Sequence, residues 1–105
     1  MSTGAPTRDQ TIQRLLAAEA EIRQLGVRRL ALFGSVARGE ARVDSDVDLL
    51  VEFAPGQKNF DRFMALSELL ERLVERPVEL VTIESLSPFI GPHILAEAAD
   101  VLRAA

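Results

Sequence analysis

The sequence predicts an α/β domain in which helices cover a sheet of three to four strands. Three observations predict it. Helix-periodic stretches alternate with short β-branched runs between Thr11 and Leu102. Glycine or proline punctuates these runs, at Gly26, Gly34, Pro55-Gly56 and Pro77. The 105 residues suffice for one core and leave little room for two.

Each element has a local reason. Residues 1–6 hold Gly, Ser, Thr and Pro and read as a flexible N-terminus, leaving 7–105 as a single domain. Thr7-Arg8-Asp9-Gln10 has the form of a capping box. Ile12, Leu15, Leu16, Ile22 and Leu25 follow at three- and four-residue steps, predicting a helix that Gly26 stops. Val27–Phe33 reads as a strand ending at Gly34, and Ser35–Gly39 as one short helical turn. A polar loop from Arg38 to Ser45 leads to a second strand, Val47–Phe53. Asn59 is an N-cap for a helix running to Glu75, with Pro77 as its stop. Phe60, Phe63, Met64, Leu66, Leu69, Leu70, Leu73 and Val74 form its apolar stripe; Phe60, Phe63 and Met64 are expected to be core, with contact of part of them to a partner as the alternative. Val78–Ile83 is a third strand, and a helix starts at Pro92. Asp100–Leu102 either adds a last short strand or continues that helix.

Composition removes several functions. Without cysteine there is no disulfide scaffold, thiol nucleophile or Cys-ligated zinc, and one histidine excludes a multi-histidine metal site. A net charge of −4 disfavours bulk electrostatic nucleic-acid binding. No apolar run approaches the ~20 residues of a membrane span, and the polar start lacks a signal-peptide core. A cytoplasmic domain is expected, with neither nucleic acid nor membrane as partner.

One stretch carries chemistry. Phe33-Gly34-Ser35-Val36-Ala37-Arg38-Gly39 closes a strand and opens a turn; ten residues after Ser35 come Asp46-Val47-Asp48 and the apolar run Leu49-Leu50-Val51. Gly34, lacking a Cβ, lets a ligand approach the backbone, while free N–H groups and the Ser35 hydroxyl suit a phosphate. Asp46 and Asp48 share one face, with Cα atoms about 6.6 Å apart on an extended chain. Two like charges so placed repel, and a divalent cation bound by oxygen, such as Mg²⁺, relieves the conflict. Two such ions can hold the attacking and leaving oxygens of a displacement at phosphorus. The residue types and spacing thus predict metal-assisted phosphoryl or nucleotidyl transfer. Arg38 beside the turn is either a phosphate donor or a solvated loop arginine. Arg42, Asp44, Glu52 and His93 read as loop, turn, rim and surface residues.

The stretch LFGSVARGEARVDSDVDLLVEF resembles the GSx₁₀DxD signature of the DNA polymerase beta-type nucleotidyltransferase superfamily, in its minimal nucleotidyltransferase (MNT) branch. The resemblance spans about Thr11 to Leu102 and implies that superfamily's fold, with a small mixed sheet. It further implies that Gly34, Ser35 and Arg38 bind a nucleoside triphosphate, ATP by expectation. Asp46 and Asp48 would ligate two Mg²⁺ ions, with Glu79 as third carboxylate where many relatives carry Asp. The implied partner is a HEPN-domain toxin, in a heteromeric complex. The implied role is that of a type VII-like antitoxin that moves AMP from ATP to a toxin tyrosine. The sequence holds no tyrosine, so such transfer would act in trans. An antitoxin that neutralises by binding alone, and a transferase acting on a small molecule, stand as alternatives.

Overall fold

The computed structural model describes residues 4–103, so the expectation of a flexible segment at 1–6 lies partly outside the described residues. The helices are α1 (Arg8–Leu16), α2 (Glu19–Gln24), α3 (Gly34–Arg38), α4 (Phe60–Val74) and α5 (Gly91–Glu97). The strands are β1 (Val27–Phe33), β2 (Val47–Phe53), β3 (Val78–Thr82) and β4 (Ala99–Leu102), with a 3-10 turn at Ile83–Ser85. They form one mixed sheet of order β3-β2-β1-β4. β1 is antiparallel to both β2 and β4, and β2 is parallel to β3. A parallel pair needs a long crossover, which α4 supplies.

Strand periodicity gives the sheet two unequal faces. Leu30 and Leu32 of β1, with Val47, Leu49, Val51 and Phe53 of β2, meet Leu15, Ile22, Leu66, Leu69, Leu70 and Val74 from the helices. This is the main core. Among the described residues, the opposite face buries only Ala31, Phe33 and Leu50 under Ile83, Leu86, Ile94 and Ala98. Asp48 lies two residues before Leu50 and so belongs to this thinly covered face. Glu79, paired with Asp48 in register and two residues before Val81, belongs there as well.

Local signals in the sequence explain most ends. The Thr7 hydroxyl accepts from the Gln10 N–H at 3.1 Å, starting α1. The Asn59 side chain accepts from the Arg62 N–H at 2.8 Å, starting α4. Glu75 ends α4 in a left-handed conformation (φ 57°), before Pro77 is reached. The last segment is a strand, and Leu102 pairs with Leu30.

Two expectations need correction. The first helix is two, broken at Ala17–Ala18, where the Ala18 N–H bonds the Leu15 carbonyl at 3.1 Å in a tighter turn. No glycine or proline marks the break; Ala18 is itself buried, so packing decides it. Phe60 and Met64 are not core. They are 75% and 41% exposed, because the buried ridge of α4 runs through Leu66, Leu69, Leu70 and Val74.

Replacing Asn59 by alanine should lower the unfolding free energy by about 1 kcal/mol, the usual loss of an N-cap. Leu49→Ala, which empties a fully buried site in β2, should lower it by about 2–5 kcal/mol. Urea denaturation monitored by circular dichroism measures both.

Candidate active site

The site begins where β1 runs into α3. Phe33 is extended, and Gly34 then turns the chain with φ +76°. That value is open to glycine and strained for other residues. Space imposes a second condition. A Cβ on Gly34 would lie 2.0 Å from Asp48 Oδ2 and 2.8 Å from its Cγ. The Asp48 carboxylate therefore rests directly on the Gly34 backbone. Gly39, also left-handed (φ 74°), ends α3 and releases the loop towards β2.

Asp48 sits in the middle of the sheet end, opposite Phe33 on β1 and Glu79 on β3. Its carboxyl is pushed up to about 6. Burial is the largest cause, followed by the charges of Glu79 and Asp46 and a hydrogen bond with Glu79; only Arg38 pulls the other way. Asp46 lies one residue outside β2 and is exposed, as is Glu79 on the edge strand. The sheet register thus brings the three predicted carboxylates into one electrostatic unit, although Asp46 and Glu79 are 33 positions apart in sequence.

Arg38 ends α3 and is held by two acids. Its Nε donates to Glu40 Oε1 at 2.9 Å, and its Nη1 donates to both Glu97 oxygens at 3.2 Å. These bonds, Glu40's first, raise its pKa further, so it stays charged. Glu97 Oε1 also accepts from the Gly34 N–H at 3.1 Å. Sequence reasoning missed Glu97. It is 63 residues from Gly34, at the end of a short helix without a motif, so only the tertiary fold reveals it.

The remaining candidates stand apart from this cluster. Asp44 occupies a turn, and the Arg42 backbone N–H donates to Ser45 Oγ at 2.7 Å. Glu52 pairs with Arg28 at 4.0 Å, and His93 is exposed.

Among the described residues, no group of three or more acidic, His or Cys side chains is gathered into a metal cage. The donor set nevertheless fits Mg²⁺, which takes oxygen ligands and is commonly held by one or two carboxylates together with substrate phosphates. Burial first, and then the charges of Glu79 and Asp46, hold the Asp48 carboxyl up, and a cation beside it would offset both.

A sequence profile of the nucleotidyltransferase domain matches residues 15–101. The chain belongs to that family. The nucleotidyltransferase sequence is 42% identical over 88 residues to protein adenylyltransferase MntA of Thermococcus cleftensis, covering 83% of this chain and 88% of the relative. A solved structure assigned as a minimal nucleotidyltransferase is 36% identical, with a TM-score of 0.77 over 89% of this chain and 94% of that one. An MNT antitoxin solved in complex with a tri-AMPylated HEPN toxin of Shewanella oneidensis shares the fold: TM-score 0.61, 19% identity, 89% of this chain and 73% of that one covered. These likenesses bear out the polymerase-beta-like fold and the assignment to minimal nucleotidyltransferases.

Two outcomes follow from the geometry. Gly34→Ala should lose about 1–3 kcal/mol of stability from backbone strain. By displacing Asp48 it should also reduce transferase activity about 100-fold, read by thermal melting and nucleotide turnover. The folded chain holds the Asp48 proton to higher pH than the unfolded chain, whose carboxyl titrates near 3.8. Its stabilising contribution is therefore complete below about 4 and is lost as pH rises through about 6. Melting curves in EDTA should show this decline, and Asp48→Asn should flatten it.

Proposed function

We propose that the protein is a cytoplasmic, Mg²⁺-dependent protein adenylyltransferase that moves AMP from ATP to a tyrosine of a HEPN toxin and so acts as its antitoxin. The observation that carries the reading is the seating of the Asp48 carboxylate on the Gly34 backbone, which joins the two halves of the GSx₁₀DxD motif into one site. The 42% identical MntA adenylyltransferase supports the reaction, and the toxin–antitoxin fold neighbour supports the partner.

The chain's own groups divide the work. The Gly34 N–H, the Ser35 hydroxyl and the Arg38 guanidinium bind and orient the triphosphate. Asp48, Asp46 and Glu79 would hold Mg²⁺, which supplies charge neutralisation at the phosphates when bound. Glu79, exposed on the edge strand, receives the phenolic proton of the acceptor. The tyrosine oxygen bonds to the α-phosphorus, the bond to the bridging oxygen breaks, and pyrophosphate leaves with that electron pair. No residue of this chain can serve as the tyrosine acceptor. The acidic balance suits a basic partner surface.

Incubation with α-labelled ATP, Mg²⁺ and the product of the adjacent gene, expected to be a HEPN toxin, tests the reading. Label should pass to the toxin, and Asp48→Asn should abolish that transfer while melting at the same or a higher temperature in EDTA. Glu79→Gln should slow it. No labelling by a folded protein, with toxin neutralisation surviving Asp46→Ala plus Asp48→Ala, would establish neutralisation by binding alone.

A further inference from the structure

Glu97 lies outside the signature, yet its carboxylate touches two of the groups given to the triphosphate. Oε1 accepts from the Gly34 N–H at 3.1 Å and from Arg38 Nη1 at 3.2 Å, and Oε2 accepts from the same Nη1 at 3.2 Å. A carboxylate and a phosphate present similar acceptor oxygens to such donors. The Gly34 amide has one hydrogen to give, so an entering phosphate and Glu97 cannot both take it. Their like charges also repel.

We infer that Glu97 is an internal anion that occupies the triphosphate's donors in the nucleotide-free protein, leaves them when ATP binds, and thereby sets the affinity for nucleotide. This inference rests on the nucleotide reading above. The surroundings suit a group that moves. Glu97 is the last residue of a seven-residue helix and its side chain is 31% exposed. That helix packs on the thin face of the sheet through Ile94 and the following Ala98 and lies against α3, while its Leu95, and Phe89 and Ile90 of the turn before it, stand in solvent. Arg38 has a second anchor besides Glu97. Its Nε keeps Glu40 at 2.9 Å, so departure of Glu97 frees Nη1 while the guanidinium remains beside the turn. Competition for shared donors, rather than support of Arg38, is the consequence of this geometry.

Binding of inorganic tripolyphosphate and of Mg²⁺-ATP to the full chain, followed by calorimetry, tests the inference. Glu97→Gln and Glu97→Ala should bind both about threefold to tenfold more tightly than the parent, the size of effect expected from removing one charge-assisted competitor. Unchanged or weaker binding overturns it, and weaker binding would make Glu97 a support for Arg38. A second measurement does not depend on the variants folding. In the parent chain, saturating tripolyphosphate should shift the carboxyl-carbon resonance of Glu97 together with the Gly34 amide. A Glu97 resonance that stays still while the amide moves overturns the displacement and leaves the nucleotide reading intact. Failure of parent and variants alike to bind either probe overturns both.

Discussion

The contact between the Asp48 carboxylate and the bare Gly34 backbone is the constraint on which the site depends. It needs a glycine twice over, for its left-handed φ of +76° and for the space that a Cβ would fill. It also needs β1 and β2 in their antiparallel register, because Phe33 pairs with Asp48. Shift that register by one residue and Asp48 would turn into the main core while Leu49 and Val51 turned out of it. The packing of the whole domain thus serves to hold one carboxylate against one turn.

The same contact sets a tension between stability and chemistry. Asp48 is drawn out of water and placed beside Glu79 and Asp46, which no arrangement chosen for stability alone would do. Active sites are where such conflicts collect, because a cation and a triphosphate resolve them on binding. Arg38 offsets the conflict only in part, since Glu40 and Glu97 already claim its donors. The burden is carried by the thick face of the sheet, whose leucine and valine core is insulated from the charged end.

Much of this was legible in the residues. The runs VRRLALF and VDLLVEF became β1 and β2 without shift, because β-branched and leucine-rich stretches bounded by glycine and proline have few other uses. Asn59 capped α4 as its side chain predicts. Gly34, Asp46, Asp48 and Glu79 stand at one end of the sheet, since period-two geometry and the β2–β3 register carry them there. The misses share a physical origin. The break at Ala17–Ala18 and the exposure of Phe60 and Met64 are decided by what packs opposite, and a helical period cannot show which part of a wide apolar stripe finds a partner. Glu97 escaped because it meets Gly34 and Arg38 only through folding of distant segments.

The position of β4 has a consequence for how the chain matures. Residues 99–102 pair with the edge of β1, next to the strand that carries the turn. Until that segment leaves the ribosome, β1 presents an open row of amides and carbonyls, the kind of surface on which nascent chains join one another. Pairing then couples Arg29 to Asp100 at 2.9 Å and Arg23 to the Arg103 carbonyl at 3.0 Å, and the four-residue β4 becomes the sheet edge in place of β1.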